Sequence, residues 1–372
     1  MRIAIDARGI NWYRGTGIGT YTDKILEYMV KEHIENYYHI YWSGKNYEKL
    51  NTSNTKIIMT SRKHHRFFEN FYFPSNLKRE NIDIYHVPQN GIDISNNIEC
   101  KKVVTIHDLI PYILPETVGR GYLNKFLKEM PNIIEMADGI ITVSECSKMD
   151  ILKFFPINED KIFVIPLAAD SKYKPLDNRL CRDFISKNYN IDKPFILYLG
   201  GFSPRKNVRS LILAFSKIYK NLNKEYNLVI IGTNGDELPL LKKLCCDLNV
   251  NELIKFTGFV PEDELPKFYN ACDLFVYPST YEGFGLPPLE AMSCGSAVIT
   301  SNLSSIPEVV EDGGILIDPF NLDSIMNSIQ ELLSNEKLLL EMKKKAVKQA
   351  SKFSWGKTAE KTLKAYEDIL RQ

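Results

Sequence analysis

Two acids, Glu282 and Glu290, stand with seven residues between them in "YEGFGLPPLE", around Gly283, Gly285, Pro287 and Pro288. A carboxylate repels phosphate but accepts hydrogen bonds from hydroxyls. The preceding "DLFVYPS" (273–279) reads as the end of a buried strand and "TYEGFG" as a glycine loop. "LPPLEAMSC" then starts a helix with proline in its first turn, and Gly295 stops it. A loop entering a helix this way aims backbone N–H groups in one direction and creates an anion site. Acids on both sides of an anion site suit a ligand with phosphate in its middle and hydroxylated rings at its ends, and a nucleotide sugar is such a ligand. The plainer alternative is a capping acid and a surface acid around an ordinary turn.

Three further constellations could do chemistry. Arg205 and Lys206 follow Gly200-Gly201 in "LYLGGFSPRKNV", two cations at a strand's carboxyl edge that suit a diphosphate; by itself such a pair is an ordinary solvated surface feature. Gly15, Gly17 and Gly19 follow the first strand, spaced like a phosphate-cradling loop. They lack the third glycine of the dinucleotide fingerprint, and no ribose-binding acid follows, which weakens an NAD-dependent oxidoreductase reading. His107-Asp108 ends the run "VVTIHD", where an imidazole can bond a sugar hydroxyl or take a proton. There is no D-x-D pair for a metal-bound diphosphate, no P-loop and no G-x-S-x-G elbow.

The elements that position these residues alternate along the whole chain. Strand candidates lie at 2–7, 39–43, 56–60, 82–87, 103–108, 139–144 and 162–168, then at 195–201, 227–232, 253–260, 273–279, 296–301 and 314–318. Several are apolar on both faces, the mark of parallel sheets covered by helices. Residues 169–193 show no strand pattern and read as the crossing between domains. The expected class is α/β, with two doubly wound Rossmann-like domains facing a central cleft: 1–170 for the acceptor, 171–355 for the nucleotide sugar, and a helix at 356–372 packing back on the first.

Composition narrows the function classes. In 372 residues, 47 Lys and Arg nearly cancel 46 Asp and Glu, so bulk charge does not call for nucleic acid. Seven irregularly spaced cysteines suit reduced thiols, and none groups with histidine at zinc-site spacing. No stretch reaches the roughly 18–20 apolar residues of a membrane-crossing helix, and the opening "MRIAIDARGI" is no signal-peptide core. A cytoplasmic protein is expected, peripheral at most to the inner face of the membrane. The segment "SRKHHRFFENFYFP" (61–74) mixes cations with aromatic rings and suits a lipid-linked acceptor or an anionic membrane, against the alternative of an amphipathic helix packed on the sheet.

Taken together and in order, "TGIGTYT", "HDL", "VSECSKMDI", "GGFSPRKN", "FTGFVPEDEL", "YEGFGLPPLEAMSCG" and "SNLSSIPEVVEDGG" resemble the retaining glycosyltransferases of family 4, which have the GT-B fold. The likeness is greatest to bacterial mannosyltransferases of surface-polysaccharide assembly. It implies transfer of a hexose, mannose from GDP-mannose foremost, to a growing or lipid-linked glycan, with no metal or other cofactor. It also implies roles. Glu290 would bind ribose hydroxyls and Glu282 the far hydroxyls of the donor sugar. Phe284, Gly285 and Leu286 would present backbone to sugar and diphosphate. Arg205 and Lys206 would hold the diphosphate, His107 would lie by the sugar, Gly17 would approach the phosphate, and Val260 would meet the base through its backbone. Many members carry arginine where this chain has Gly201, which shifts the phosphate load onto Arg205 and Lys206. A sugar-nucleotide epimerase or glycan phosphorylase of the same architecture, and a non-catalytic glycan-binding subunit, are the rival readings.

Overall fold

The computed structural model describes residues 1–232, 235 and 237–372. The chain forms two compact units, one of Met1–Leu167 with Phe353–Gln372 and one of Ala168–Lys352. The first holds strands β1 (Arg2–Asp6), β2 (Tyr37–Trp42), β3 (Thr55–Met59), β4 (Ile84–Val87), β5 (Lys101–Ile106), β6 (Gly139–Thr142) and β7 (Ile162–Val164). They form a parallel sheet in the order β3-β2-β1-β4-β5-β6-β7. The second holds β8 (Phe195–Leu199), β9 (Asn227–Ile231), β10 (Ile254–Gly258), β11 (Leu274–Tyr277), β12 (Val298–Ser301) and β13 (Ile315–Ile317), parallel in the order β10-β9-β8-β11-β12-β13.

Each apolar run read as a strand is one. Both faces of these sheets carry helices, so the strand residues are buried on both sides and read as continuous apolar stretches rather than alternating ones; Ile3, Ala4 and Ile5 are all at 0% exposure. In each sheet the strand order reverses once, between β1 and β4 and between β8 and β11. Loops leaving the carboxyl ends of those neighbours run to opposite faces and open a crevice, the usual ligand position in such sheets.

The stretch 169–193 is not merely a crossing. It contains a helix, Asn178–Tyr189, capped by the Asp177 side chain on the Leu180 amide and ended by Asn190 in the left-handed conformation. Its wholly buried residues are only Cys181 and Ile185, one per turn, so its apolar period is faint in the sequence.

The last helix, Trp355–Arg371, buries Trp355, Thr358, Ala359, Thr362, Leu363, Ala365, Tyr366 and Ile369, a stripe recurring every three or four residues. It packs on the helix Gly17–Glu32 and touches β5 and β6. A polar chain runs through this apolar contact. The Tyr366 hydroxyl meets His86 Nδ1 at 2.6 Å, His86 Nε2 meets Thr105 Oγ1 at 2.8 Å, and Thr105 meets the Tyr21 hydroxyl at 3.0 Å. Burial pushes the His86 imidazole down to about 3, so it is neutral and serves as donor on one nitrogen and acceptor on the other. Leaving one such buried group unpaired costs about 1–3 kcal/mol, which specifies how this helix seats. Among the described residues no helix is long and apolar enough to cross a membrane.

Candidate functional site

The second unit's reversal point holds most of the residues singled out above. β8 ends at Leu199, and its loop makes a tight turn, Pro204–Lys206, before the helix Val208–Ile218. β11 ends at Tyr277, and its loop runs to Gly285 before the helix Leu286–Ser293. Because β8 and β11 are hydrogen-bonded neighbours, the two loops lie side by side. The Thr280 amide donates to the Arg205 carbonyl at 2.7 Å, and Arg205 Nη1 donates to the Tyr281 carbonyl at 2.9 Å.

This contact brings Arg205, Lys206 and Glu282 into one cluster. Lys206 Nζ lies 2.6 Å and Arg205 Nη1 3.1 Å from Glu282 Oε1. The Ser279 and Tyr277 hydroxyls donate to the same oxygen at 2.6 and 2.9 Å, and Lys206 Nζ also donates to the Tyr277 hydroxyl at 2.5 Å. Glu282 is only 8% exposed. Burial alone would raise its carboxyl, but the attraction of Lys206 and Arg205 outweighs burial and holds it at about 2. It is therefore ionised at neutral pH and can only accept hydrogen bonds.

The loop after β12 secures this one. The Glu282 amide donates to Ser304 Oγ at 3.0 Å, and Ser305 Oγ donates to the carbonyls of Glu282 and Phe284, both at 2.9 Å. Gly285 then enters the helix at φ 112°, and a Cβ there would come 2.6 Å from Ile306 Cδ1. Pro287 and Pro288 have no N–H, so the amides at this helix start that precede the first intrahelical donor, Leu289, are those of Gly285 and Leu286. Gly285→Ala is expected to cost roughly 2 kcal/mol, combining backbone strain with displacement of Ile306. A urea midpoint equal to wild type would show that the loop absorbs the methyl group.

Glu290 belongs to a separate cluster. Its Oε2 accepts from the Tyr269 hydroxyl at 3.0 Å. Burial raises its carboxyl to about 8, against the opposing pull of the Tyr269 hydrogen bond and of Lys172. The two glutamates thus differ in protonation at neutral pH: one has cations beside it, the other mainly tyrosines. Val260 lies just after β10, two strands from β8 along the same carboxyl edge. At 4% exposure its side chain is packed away.

His107 and Gly17 lie in the first unit. His107 follows β5 directly. Its Nε2 sits 2.9 Å from the Pro88 carbonyl, which only accepts, so Nε2 carries the proton and Nδ1 is the acceptor. Burial brings its pKa down to about 4 despite the Pro88 bond, so His107 is neutral at neutral pH and a weak base. Gly17 is the first residue of its helix, capped by Thr16, whose hydroxyl accepts from the Gly19 amide. Gly19 packs under the Tyr13 carbonyl, 2.5 Å from where a Cβ would stand, which explains one glycine of the motif by packing.

Tyr277, Ser279, Tyr269, Ser304 and Ser305 were not singled out from the sequence. Tyr277 and Ser279 flank Pro278 in the quoted "DLFVYPS", but a strand tyrosine reads as core, and only the seating of Lys206 reveals its second use. The two serines sit in "SNLSSIPE", where nothing local shows that they face another loop.

Residues 182–349 match the family model of glycosyl transferases group 1, and residues 15–173 that of glycosyltransferase family 4. The chain is 34% identical over 284 residues to an O-antigen chain mannosyltransferase B of Escherichia coli, covering 76% of this chain and 74% of that protein. It is 33% identical over 282 residues to the serotype-specific mannosyltransferase WbdA of Escherichia coli, covering 74% of this chain and 34% of that longer protein. Among solved structures, sucrose-phosphate synthase from Thermosynechococcus elongatus superimposes with a TM-score of 0.78 at 18% identity, over 100% of this chain and 99% of that one. Anabaena HepE, in complex with UDP and glucose, gives 0.77 at 17% identity, over 99% and 100%.

Proposed function

Since the chain belongs to the family 4 glycosyltransferases and has the GT-B fold, we propose that it transfers mannose from GDP-mannose to a growing or lipid-linked glycan of a cell-surface polysaccharide, on the cytoplasmic side of the membrane. The observation that carries this reading is the convergence of Lys206 and Arg205 on Glu282 at the second unit's reversal point.

In this reading Arg205 and Lys206 hold the diphosphate together with the amides of Gly285 and Leu286, and the charge is neutralised without a metal ion. Glu282, ionised and anchored through Oε1, accepts the far hydroxyls of the sugar. Glu290 accepts from the ribose hydroxyls, and the Val260 backbone meets the base. His107 offers Nδ1 to a sugar hydroxyl, and Gly17 offers its amide to phosphate. The C1–O bond to the diphosphate breaks while the acceptor oxygen bonds to C1 on the same face, so configuration is retained. The acceptor's proton passes to an oxygen of the departing phosphate. Negative charge on the diphosphate is greater in the transition state than in the bound donor, so cations fixed beforehand by Glu282 and Tyr277 favour that state over the ground state.

The test is a thermal-shift and turnover panel of nucleotide sugars, run with and without EDTA. GDP-mannose is expected to give the largest shift and a mannosylated product, with EDTA inert. A larger shift and turnover with another donor would replace the sugar, and loss of activity in EDTA would replace the metal-free mechanism. The pH dependence isolates Glu290. Ribose hydroxyls donate to a carboxylate, so donor Kd is expected to fall by up to tenfold per unit as pH rises toward about 8 and to level off above it. Glu290→Gln should bind weakly with no such slope. A wild-type Kd that stays flat across this range removes the raised Glu290 carboxyl, and Glu290→Gln binding as tightly as wild type removes Glu290 from the ribose site.

A further inference from the structure

The segment between β3 and β4 has no part in donor chemistry, yet its construction is unusual. In place of one amphipathic helix it runs as a tight turn Arg62–His64, a helical turn His65–Phe67, a π-helical turn Phe68–Tyr72 and the helix Phe73–Arg79. π-turns are uncommon and are often found at functional places. The only acid from 61 to 79 is Glu69, and it points inward. It is 5% exposed and takes Arg8 Nη1 on Oε1 at 2.7 Å. Arg8 also grips Asp6, at the end of β1, through Nε at 2.8 Å and Nη2 at 2.7 Å. Gln89, beyond β4, donates to the same Asp6 at 2.7 Å. Phe73, four residues past Glu69, is buried with the Arg8 guanidinium 5.0 Å from its ring. This buried anchor sets which side of the segment faces outward.

The outward side is apolar and positive. Phe67 is 55% and Phe71 66% exposed, their rings stacked at 6.3 Å. Arg62, Lys63 and Arg66 stand close by in the chain, all exposed. Among the described residues none of these three cations pairs with a carboxylate, whereas Lys78 and Arg79 further along pair with Glu99 and Glu80. Two stacked phenyl rings in water and a group of uncompensated cations are each unfavourable alone. One kind of surface relieves both: an apolar layer beneath a sheet of negative charge.

We infer that Phe67 and Phe71 insert at the headgroup boundary of an anionic bilayer, held there by Arg62, Lys63 and Arg66, and so dock the first unit on the membrane. The inference rests on the proposed function in one respect: a lipid-linked acceptor gives the docking its purpose. The probe is sedimentation of the full chain with vesicles of zwitterionic phosphatidylcholine, alone or with about 30% phosphatidylglycerol, a level that makes the surface anionic. Wild type should pellet with the anionic vesicles and be released by salt as screening shortens. Replacing Arg62, Lys63 and Arg66 with Ser should weaken binding about fivefold per cation removed. Phe67→Ser with Phe71→Ser should weaken it roughly tenfold per ring. Equal unfolding midpoints for the variants show that the unit is intact. Wild type left in the supernatant, equal binding to both vesicle types, or variants that bind like wild type overturns the inference, and so does binding to single-stranded RNA in preference to vesicles. Donor binding measured on the same samples separates the two readings. Donor binding without vesicle binding sinks the docking alone; vesicle binding without donor binding sinks the transferase assignment alone.

Discussion

Lys206→Ala should lower kcat/KM for the sugar nucleotide by about a thousandfold. Lys206 Nζ is 2.6 Å from Glu282 and 2.5 Å from the Tyr277 hydroxyl, so it is held in place before any ligand arrives. A cation held this way pays no reorganisation when charge develops on the leaving diphosphate, which is why its loss falls on the transition state more than on binding. The loss should therefore appear mainly in kcat. Glu282 keeps Arg205 at 3.1 Å and both hydroxyls, so stability should fall by only roughly 2 kcal/mol. Lys206→Arg should recover only part of the rate, because a planar fork does not reproduce a point donor seated between a phenol and a carboxylate. If Lys206→Ala costs less than about fivefold in kcat/KM, the diphosphate does not sit on this cation.

Glu282→Gln should lose about a hundredfold in turnover and also change how the protein responds to acid. Glu282 is held at about 2, below its ordinary value of 4.5. A carboxyl whose pKa is lowered by folding adds stability above its unfolded pKa, and that contribution is lost as pH falls through the folded one. The difference of 2.5 (4.5 less 2) corresponds to about 3 kcal/mol, present above pH 4.5 and gone below about 2. Other carboxylates titrate in this window, so the measurement is the gap between wild type and Glu282→Gln in urea unfolding at several pH values. The gap should narrow as pH falls from 4.5. A gap that stays constant down to about 2 would mean that Glu282 is not held by Lys206 and Arg205 in solution.

Much of this molecule is legible in its sequence because parallel sheets bury both faces. Thirteen short apolar runs read as strands and form strands. "LPPLEAMSCG" reads as a helix stopped by glycine, and Leu286–Ser293 is that helix, with Gly295 at φ 80°. The helix Asn178–Tyr189 is less visible, since so little of its face is buried. The π-turn at Phe68–Tyr72 leaves no periodic trace, and local spacing cannot show that Glu69 turns inward to an arginine 61 residues earlier.

The sequence by itself determined which groups were available: two glutamates around a glycine break, two cations after a strand, and a histidine after another. The tertiary structure decided what state each group is in. Arg205 and Lys206 meet Glu282 across more than seventy residues because β8 pairs with β11, and sheet order is not encoded in any local pattern. The same burial that raises a lone carboxyl is overcome at Glu282 by two adjacent cations and prevails at Glu290 among tyrosines. Charge state depends on what is near in space and on how much water is excluded, and chain distance specifies neither.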